Sequence, residues 1–294
     1  MRFTLRQLEV FLSVARDGSV SGAARALSMS QSAASGSLAD LERQFDVQLF
    51  DRVGKRLQLN ELGRAVRGRA EAVLDQGRDL EAALTDKKGA SRLRVGATLT
   101  IGNYLAVPLV ARFMRENPGT EVSLEVANTE EIARQVANFE IDIGLVEGEI
   151  EHANLELTPW REDQLAVFCS PRHPLAKKRV LTDADLRDAA WIVRERGSGT
   201  RQAFDRAMRG LLPALNIALT LQHTEAIKGA VAAGMGIGCV SRITLADAFR
   251  RRSLRPCAVP HRDFHRQFFF LLHKQKVRTA SIERWLDLCR ADAA

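Results

Sequence analysis

Apolar positions at helical spacing open the chain: Leu8, Phe11, Leu12 and Ala15 fall on one stripe of a segment running from Leu5 to Ala15. A shorter pattern follows in which Ala23, Ala24 and Leu27 share a face, and side chains this small let a neighbouring helix cross closely. Ser28-Met29-Ser30 interrupts the periodicity, and Ser30 stands where an N-cap belongs, its hydroxyl able to accept from a free N–H of the next helix. From Gln31 the helical period resumes, with Ala34, Leu38 and Leu41 inward and Gln31, Ser32 and Ser35 outward. The stretch from Ser19 to Glu42 is therefore predicted to be a helix-turn-helix on a three-helix core. Ser30 and the outward Gln31, Ser32 and Ser35 are candidate contacts to the bases and phosphates of double-stranded DNA.

The pattern then shortens. Leu49 and Phe50 are apolar anchors, Gly54 marks a turn, and Leu57 and Leu59 alternate as in a strand, which predicts a hairpin wing. From Arg52 to Arg69 the chain carries Arg52, Lys55, Arg56, Arg64, Arg67 and Arg69 against a single acid, Glu61, a stripe suited to phosphates. Arg52, Lys55 and Arg56 are the candidate wing contacts. Asn60 is placed to cap a long helix in which Ala70, Val73, Gly77, Leu80 and Leu84 step by three and four residues. Such a seam predicts pairing with a second copy; packing against the rest of its own chain is the alternative. Lys87-Lys88-Gly89-Ala90 makes a polar break, read as a domain linker.

Beyond the break, strand and helix patterns alternate: strand Arg92 to Ala97, helix Gly102 to Glu116, strand Glu121 to Ala127, helix Thr129 to Phe139, strand Ile141 to Val146. This is α/β with a largely parallel sheet. Asn128 and Glu131 have the spacing of a capping box. A comparable series runs from Gln164 through Trp191 to Val240, implying two similar lobes, before Phe268 to Leu272 and a helix from Ser281 to Cys289 close the chain. Each lobe has a strand-to-helix turn rich in hydroxyls, Thr98-Leu99-Thr100-Ile101-Gly102 and Gly197-Ser198-Gly199-Thr200. Such turns aim free N–H groups and the positive end of a helix dipole at one point, at the carboxyl ends of strands where α/β sheets bind ligands. An anion between the lobes is the expectation, with Thr98, Thr100, Ser198 and Thr200 as first contacts and Asn128 and Thr224 at further helix starts. Each of these hydroxyls and amides could instead be an ordinary helix cap. Glu147, at a strand end, is read either as a cleft residue that repels a dianion or as a loop carboxylate.

Composition narrows the classes. A net charge of +7 favours anionic partners, although the excess is spread over the chain. The N-terminus lacks an unbroken apolar core and a cleavage site, and no apolar run reaches spanning length, so the expected location is the cytoplasm with no membrane partner. Cys169, Cys239, Cys257 and Cys289 are far apart and read as buried thiols. Enzymatic motifs fail on inspection: Phe268 replaces the asparagine that His261-Arg262-Asp263 would need as a kinase loop, and Gly197 to Arg201 lacks the lysine of a P-loop. His261 and His265 have the spacing of a helical metal pair without its glutamate or a helical pattern. Neither an enzyme, a metal nor a cofactor is expected.

The order A-A-x-x-L, S-Q-x-A-x-S, L-E, L-F-x-R, then Lys55-Arg56 with Leu57 and Leu59, resembles the LysR-type transcriptional regulators, and the resemblance covers essentially the whole chain. It implies a fold that is α/β with an all-α winged helix-turn-helix head, a long linker helix and a two-lobed, periplasmic-binding-protein-like effector domain. The implied domains are 1–60 for the winged head, 61–88 for the linker and dimerisation helix, and 89–294 for the effector domain. Within the last, lobe I comprises about 91–161 plus 267–294 and lobe II about 162–266, the chain crossing near Arg161 and returning near Arg266. Carried over by position, Gln31, Ser32 and Ser35 read or position DNA, the wing arginines and Lys55 hold phosphates, and the T-x-T and G-S-G-T-R segments contact a small anionic co-inducer. A dimer or tetramer and RNA polymerase are the implied partners. A redox-sensing regulator using a cysteine pair on the same fold, or a solute-binding protein of the cytoplasm, are the alternatives. Two positions depart from the family's pattern. Gly36 replaces a long polar side chain on the second helix, where glycine costs about 1 kcal/mol relative to alanine, and shifts weight from base readout to the wing and DNA shape. Arg196 replaces the proline that commonly precedes G-S-G-T-R.

Overall fold

The computed structural model describes residues 2–54, 56–84, 92–148 and 150–293. Helix α1 (Leu5–Asp17) starts at a reciprocal capping box, Thr4 with Gln7, and ends on Gly18 in the left-handed region, φ 66°. Ser19 caps α2 (Val20–Ala26), and Ser30 caps α3 (Gln31–Phe45) by accepting from the Ala33 N–H at 3.1 Å. Between them Ser28 takes a left-handed φ of 51°, which turns the chain in four residues from Leu27 to Ser30. Strands β1 (Phe50–Val53) and β2 (Arg56–Leu59) pair antiparallel, so the head adds a two-stranded wing to its three helices. Phe11, Leu38, Leu41 and Phe50 fill the core, with the Phe11 and Phe50 rings edge-on at 5.7 Å. Each such side chain contributes about 1.5–3 kcal/mol by leaving water.

Helix α4 (Glu61–Leu84) begins at Asn60, whose side chain accepts from the Gly63 N–H at 2.8 Å. The expected seam is altered in one respect: Ala70 is buried with Leu74 in the head core, because this part of α4 lies against α1. Val73 and Leu80 remain exposed. The Leu84 side chain and the linker Lys87 to Ala90 lie outside the described residues.

The chain divides by its internal contacts into two units, one holding the residues to Leu93 with Asn117–Glu121 and Lys274–Glu283, the other Arg94–Glu116, Val122–His273 and Arg284 onward. The second unit is α/β. Its first half alternates β3 (Arg92–Thr98), a short α5 (Leu99–Ile101) that runs through one π turn into α6 (Val107–Glu116), β4 (Glu121–Ala127), α7 (Thr129–Ala137) and β5 (Ile143–Glu147). The helix after β3 thus begins three residues before the expected Gly102, because Leu99 and Ile101 already bury in helical conformation. Helix α7 stops at Ala137 rather than Phe139, whose φ of 55° is incompatible with a helix. Asn128 caps α7 through the Glu131 N–H at 2.9 Å, but the Glu131 carboxylate turns to Arg134, so only half of the expected reciprocal cap forms.

Strand β6 (Leu155–Cys169) carries the chain into the second half: α8 (Asp183–Asp188), β7 (Ala190–Arg194), α9 (Gly199–Ala207), β8 (Asn216–Leu221), α10 (Thr224–Ala232), β9 (Ile237–Ser241), α11 (Arg242–Arg250) and β10 (Arg255–Cys257). Strand β11 (His265–His273) returns alongside β6 and pairs with β5, and α12 (Ala280–Ala293) follows. The order is β4-β3-β5-β11-β6-β9-β7-β8, with β10 on β6. Strand pairs β3–β5, β7–β8 and β7–β9 are parallel, while every pair that includes β6 or β11 is antiparallel. These two long strands are the bridge between the lobes, and they shift register at Phe268/Phe269.

Candidate functional site

On α3, Ala34, Leu38 and Leu41 are buried, while Gln31, Ser32 and Ser35 are exposed together with Gly36. A Cβ added at Gly36 would meet nothing within 4 Å, so packing does not demand a glycine there. Ser30 is engaged as the cap of α3 and also lies 3.0 Å from the Ser32 hydroxyl. Arg52 and Arg56 stand exposed on the wing, whereas Lys55 lies outside the described residues. Arg64 is tied to the wing by a hydrogen bond to the Leu59 carbonyl.

The hydroxyl-rich turns of the second unit meet at one carboxylate. Thr100, beyond β3, and Thr200, in the first turn of α9, donate to the same Glu147 oxygen at 3.2 and 3.0 Å. Arg266 lies with Nη2 3.3 Å from the other Glu147 oxygen, donates through Nη1 to Thr200 at 2.9 Å and through Nε to Asp163 at 2.6 Å. Ser241 donates to the second Asp163 oxygen at 2.8 Å. The three charged side chains are at most 2% exposed, two carboxylates around one guanidinium. Burial this complete makes the pairing obligatory, since an isolated buried charge costs several kcal/mol.

Backbone geometry brings the turns this close. The Thr129 hydroxyl donates to the Glu147 carbonyl at 2.8 Å and accepts from the Gly199 N–H at 3.1 Å, and the Glu130 N–H reaches the Gly197 carbonyl at 3.3 Å. A Cβ at Gly199 would run into the Glu147 carbonyl, so this contact between lobes requires glycine. Thr98 and Ser198 start α5 and α9 without capping them; both hydroxyls are buried and make no hydrogen bond among the described residues. Asn128 is occupied as the α7 cap, and Thr224 is buried as the first residue of α10; neither joins the Glu147 network among the described residues.

Arg266, Asp163, Ser241 and Thr129 were not expected on sequence grounds. A charged residue alternating with Phe268 and Phe270 on an apolar strand was the available signal for Arg266. Glu147 faces the cleft, where the hydroxyls it was expected to leave for a ligand hold its own carboxylate. A second bridge joins the lobes where the Tyr104 hydroxyl donates to Glu225, with Lys228 at 2.8 Å from Glu225 and 2.9 Å from the Thr244 carbonyl. Burial, then the Glu225 hydrogen bond and charge, push the Tyr104 hydroxyl well above its usual pKa, keeping it a donor.

Among the described residues no group of three His, Cys, Asp or Glu could hold a metal. His261 and His265 turn instead to Asp183 and Asp263, each at 2.9 Å. All four cysteines are free and buried, and Cys257 and Cys169 come within 3.4 Å, sulfur to sulfur. The Cys257 hydrogen bond, aided by Arg255, lowers the Cys169 pKa, while Cys257 is pushed up. In register Cys169 faces Arg255 and Cys257 faces Val167, so the thiols meet on a diagonal. Among the described residues no helix is long and apolar enough to cross a membrane.

A helix-turn-helix head with a basic wing, joined to two α/β lobes that close on buried polar groups, defines a DNA-binding transcription regulator with a ligand domain. Residues 5–64 match the family model of the bacterial regulatory helix-turn-helix protein, lysR family, and residues 87–294 match the LysR substrate binding domain. The chain belongs to the LysR family of transcriptional regulators. It is 42% identical to the HTH-type transcriptional regulator YeiE of Escherichia coli over 98% of both chains. It is 31% identical to the RuBisCO operon transcriptional regulator of Allochromatium vinosum over 100% of this chain and 98% of that one. Among solved structures, the Synechocystis CcmR regulatory domain in complex with 2-PG is 32% identical, covering 69% of this chain and 97% of that one at a TM-score of 0.64.

Proposed function

We propose that this regulator answers to a small anionic co-inducer bound between its lobes, at Thr98, Thr100, Ser198 and Thr200, with Asn128 and Thr224 at the margin. One observation carries the reading: hydroxyls from two lobes, Thr100 and Thr200, donate to a single carboxylate oxygen beside a buried guanidinium. That is the donor set of an oxyanion site, and the protein's own Glu147 occupies it. An effector anion displaces the Glu147 carboxylate and takes its donors, with the unused Thr98 and Ser198 hydroxyls as additional ones. Displacement changes what holds the lobes together, and a ligand that binds one lobe arrangement better shifts the population toward it. The small molecule held by the related CcmR domain supports a ligand in this domain.

At the other end, Ser30, Gln31, Ser32 and Ser35 position the head on double-stranded DNA, while Arg52, Lys55 and Arg56 hold phosphates. With Gly36 offering no side chain, sequence preference rests on the wing and on DNA shape. The divisions at 60 and 88, self-association through α4 into a dimer or tetramer, contact with RNA polymerase, a cytoplasmic location and the lack of a catalytic role belong to the same proposal.

A thermal-shift screen of small carboxylates, phosphates, sulfate and amino acids tests it. The expected outcome is a specific shift of the full chain that disappears in Thr100→Val and in Thr200→Val, with DNA binding in the absence of effector retained. A full shift in both variants overturns the cleft assignment.

A further inference from the structure

Two of the buried thiols lie in contact outside the cleft. Cys169 ends β6 and Cys257 ends β10, and their sulfurs are 3.4 Å apart within the apolar cluster that includes Leu181, Leu186 and Val259. Among the described residues no other two thiols are in hydrogen-bonding contact, although Cys239 and Cys289 are buried as well. An apolar core gains nothing from sulfur at both positions that aliphatic side chains would not supply, so the feature to explain is the pairing.

The pair is asymmetric. Cys257 donates its S–H to Cys169, and that hydrogen bond, aided by the Arg255 guanidinium, holds the Cys169 thiol below its ordinary range, while the same bond and burial push Cys257 up. Cys169 therefore ionises first, and the thiolate is the reactive form. Arg255 faces Cys169 across the β6–β10 pair and has no carboxylate partner among the described residues. Access runs through β10, which is three residues long and pairs with β6 alone among the described strands. Arg255, Pro256 and the following Ala258 are exposed. A short edge strand that contains proline opens at low free energy, which admits a small reagent to both sulfurs.

We propose that Cys169 and Cys257 are a modification site, an oxidisable pair that a peroxide closes to a disulfide clasping β10 to β6. With hydrogen peroxide, the Cys169 thiolate attacks one oxygen, the O–O bond breaks, Cys169 becomes a sulfenic acid and the second oxygen leaves as water. The Cys257 sulfur then gives up its proton and attacks the Cys169 sulfur; the S–O bond breaks and that oxygen also leaves as water. The two thiols lose two electrons and two protons, and the peroxide takes them up. Closure brings the sulfurs from 3.4 Å to about 2.05 Å, a movement that falls on the short edge strand. The bond joins positions 88 apart, so it constrains the unfolded chain and stabilises the folded one. Strand β6 also carries Asp163 into the Glu147 network, so the clasp fixes the far end of a strand that runs into the cleft.

Treatment of the full chain with hydrogen peroxide, followed by alkylation and intact-mass measurement, tests the pair. The expected result is two alkylated thiols in place of four, a pair of tryptic peptides joined through Cys169 and Cys257, and reversal by dithiothreitol. Before reversal the cross-linked chain melts at a higher temperature than the reduced one. Cys257→Ser should form no cross-link and hold Cys169 as a sulfenic acid that dimedone traps, whereas Cys239→Ala and Cys289→Ala should keep the cross-link. The unsubstituted chain decides the matter even where a variant fails to fold. Four alkylated thiols after peroxide, a bond through Cys239 or Cys289, a bond between two copies of the chain, or a cross-linked chain that melts no higher overturns the proposal. No effector enters the experiment and neither thiol touches the cleft hydroxyls, so its outcome does not depend on the co-inducer reading.

Discussion

Taking away the Arg266 guanidinium would leave Glu147 and Asp163 as two buried carboxylates with hydroxyl partners only. Breaking a buried pair from one side costs about 3–5 kcal/mol. Arg266→Met should therefore lower the unfolding free energy of the effector domain by about that amount, measured by chemical denaturation of the full chain followed at its tryptophans. Thr100→Val leaves the same Glu147 oxygen bonded to Thr200, and its cost should stay near 1 kcal/mol. Equal losses in the two variants would mean that Arg266 is not the centre of the network. Thr100 and Thr200 were legible because each sits in a hydroxyl-rich strand-to-helix turn, a local signal. Arg266 and Asp163 were not, since they are 103 positions apart and neither belongs to such a turn.

At the level of the element, the proposed DNA contacts divide between α3 and the wing. The exposed face of α3 offers short polar side chains and an unobstructed Gly36, while the wing brings Arg52 and Arg56 forward on a two-stranded hairpin. Each phosphate contact contributes about 0.9 to the slope of log K against log salt. Replacing Arg52 and Arg56 by alanine should weaken binding to all duplexes alike and reduce that slope by about 2, read by fluorescence anisotropy across a salt series. An unchanged slope would remove the wing from the phosphate contacts. The helices and hairpin of the head followed from periodicity, caps and turn residues, which act within a few positions along the chain. The π turn after α5 and the early stop of α7 did not, because both answer to what packs around them.

Over the whole molecule, two features reach beyond any one element: the proposed pairing with a second copy along α4 and the closure of the lobes. Val73 and Leu80 stay exposed on α4 although Ala70 is used by the head, which leaves a short apolar stripe for a partner. Replacing both by aspartate should raise the dimer dissociation constant by at least about a hundredfold, since each buried aliphatic side chain contributes about 1.5–3 kcal/mol. Sedimentation velocity would read this as monomer at micromolar concentration, and an unaltered distribution would rule α4 out as the pairing helix. Closure depends on pairings that span the chain: Tyr104 with Glu225, Thr129 with Gly199, and Glu147 with Thr200 and Arg266. The class of protein, the order of its elements and the hydroxyl-rich turns could be read from the residues in line, because helical and strand periods, caps and turn chemistry are local. That Glu147 fills the cleft, and that one guanidinium balances two distant carboxylates there, came only with the folded chain. Desolvation makes those pairings compulsory, and no spacing along a sequence encodes which buried charges will meet.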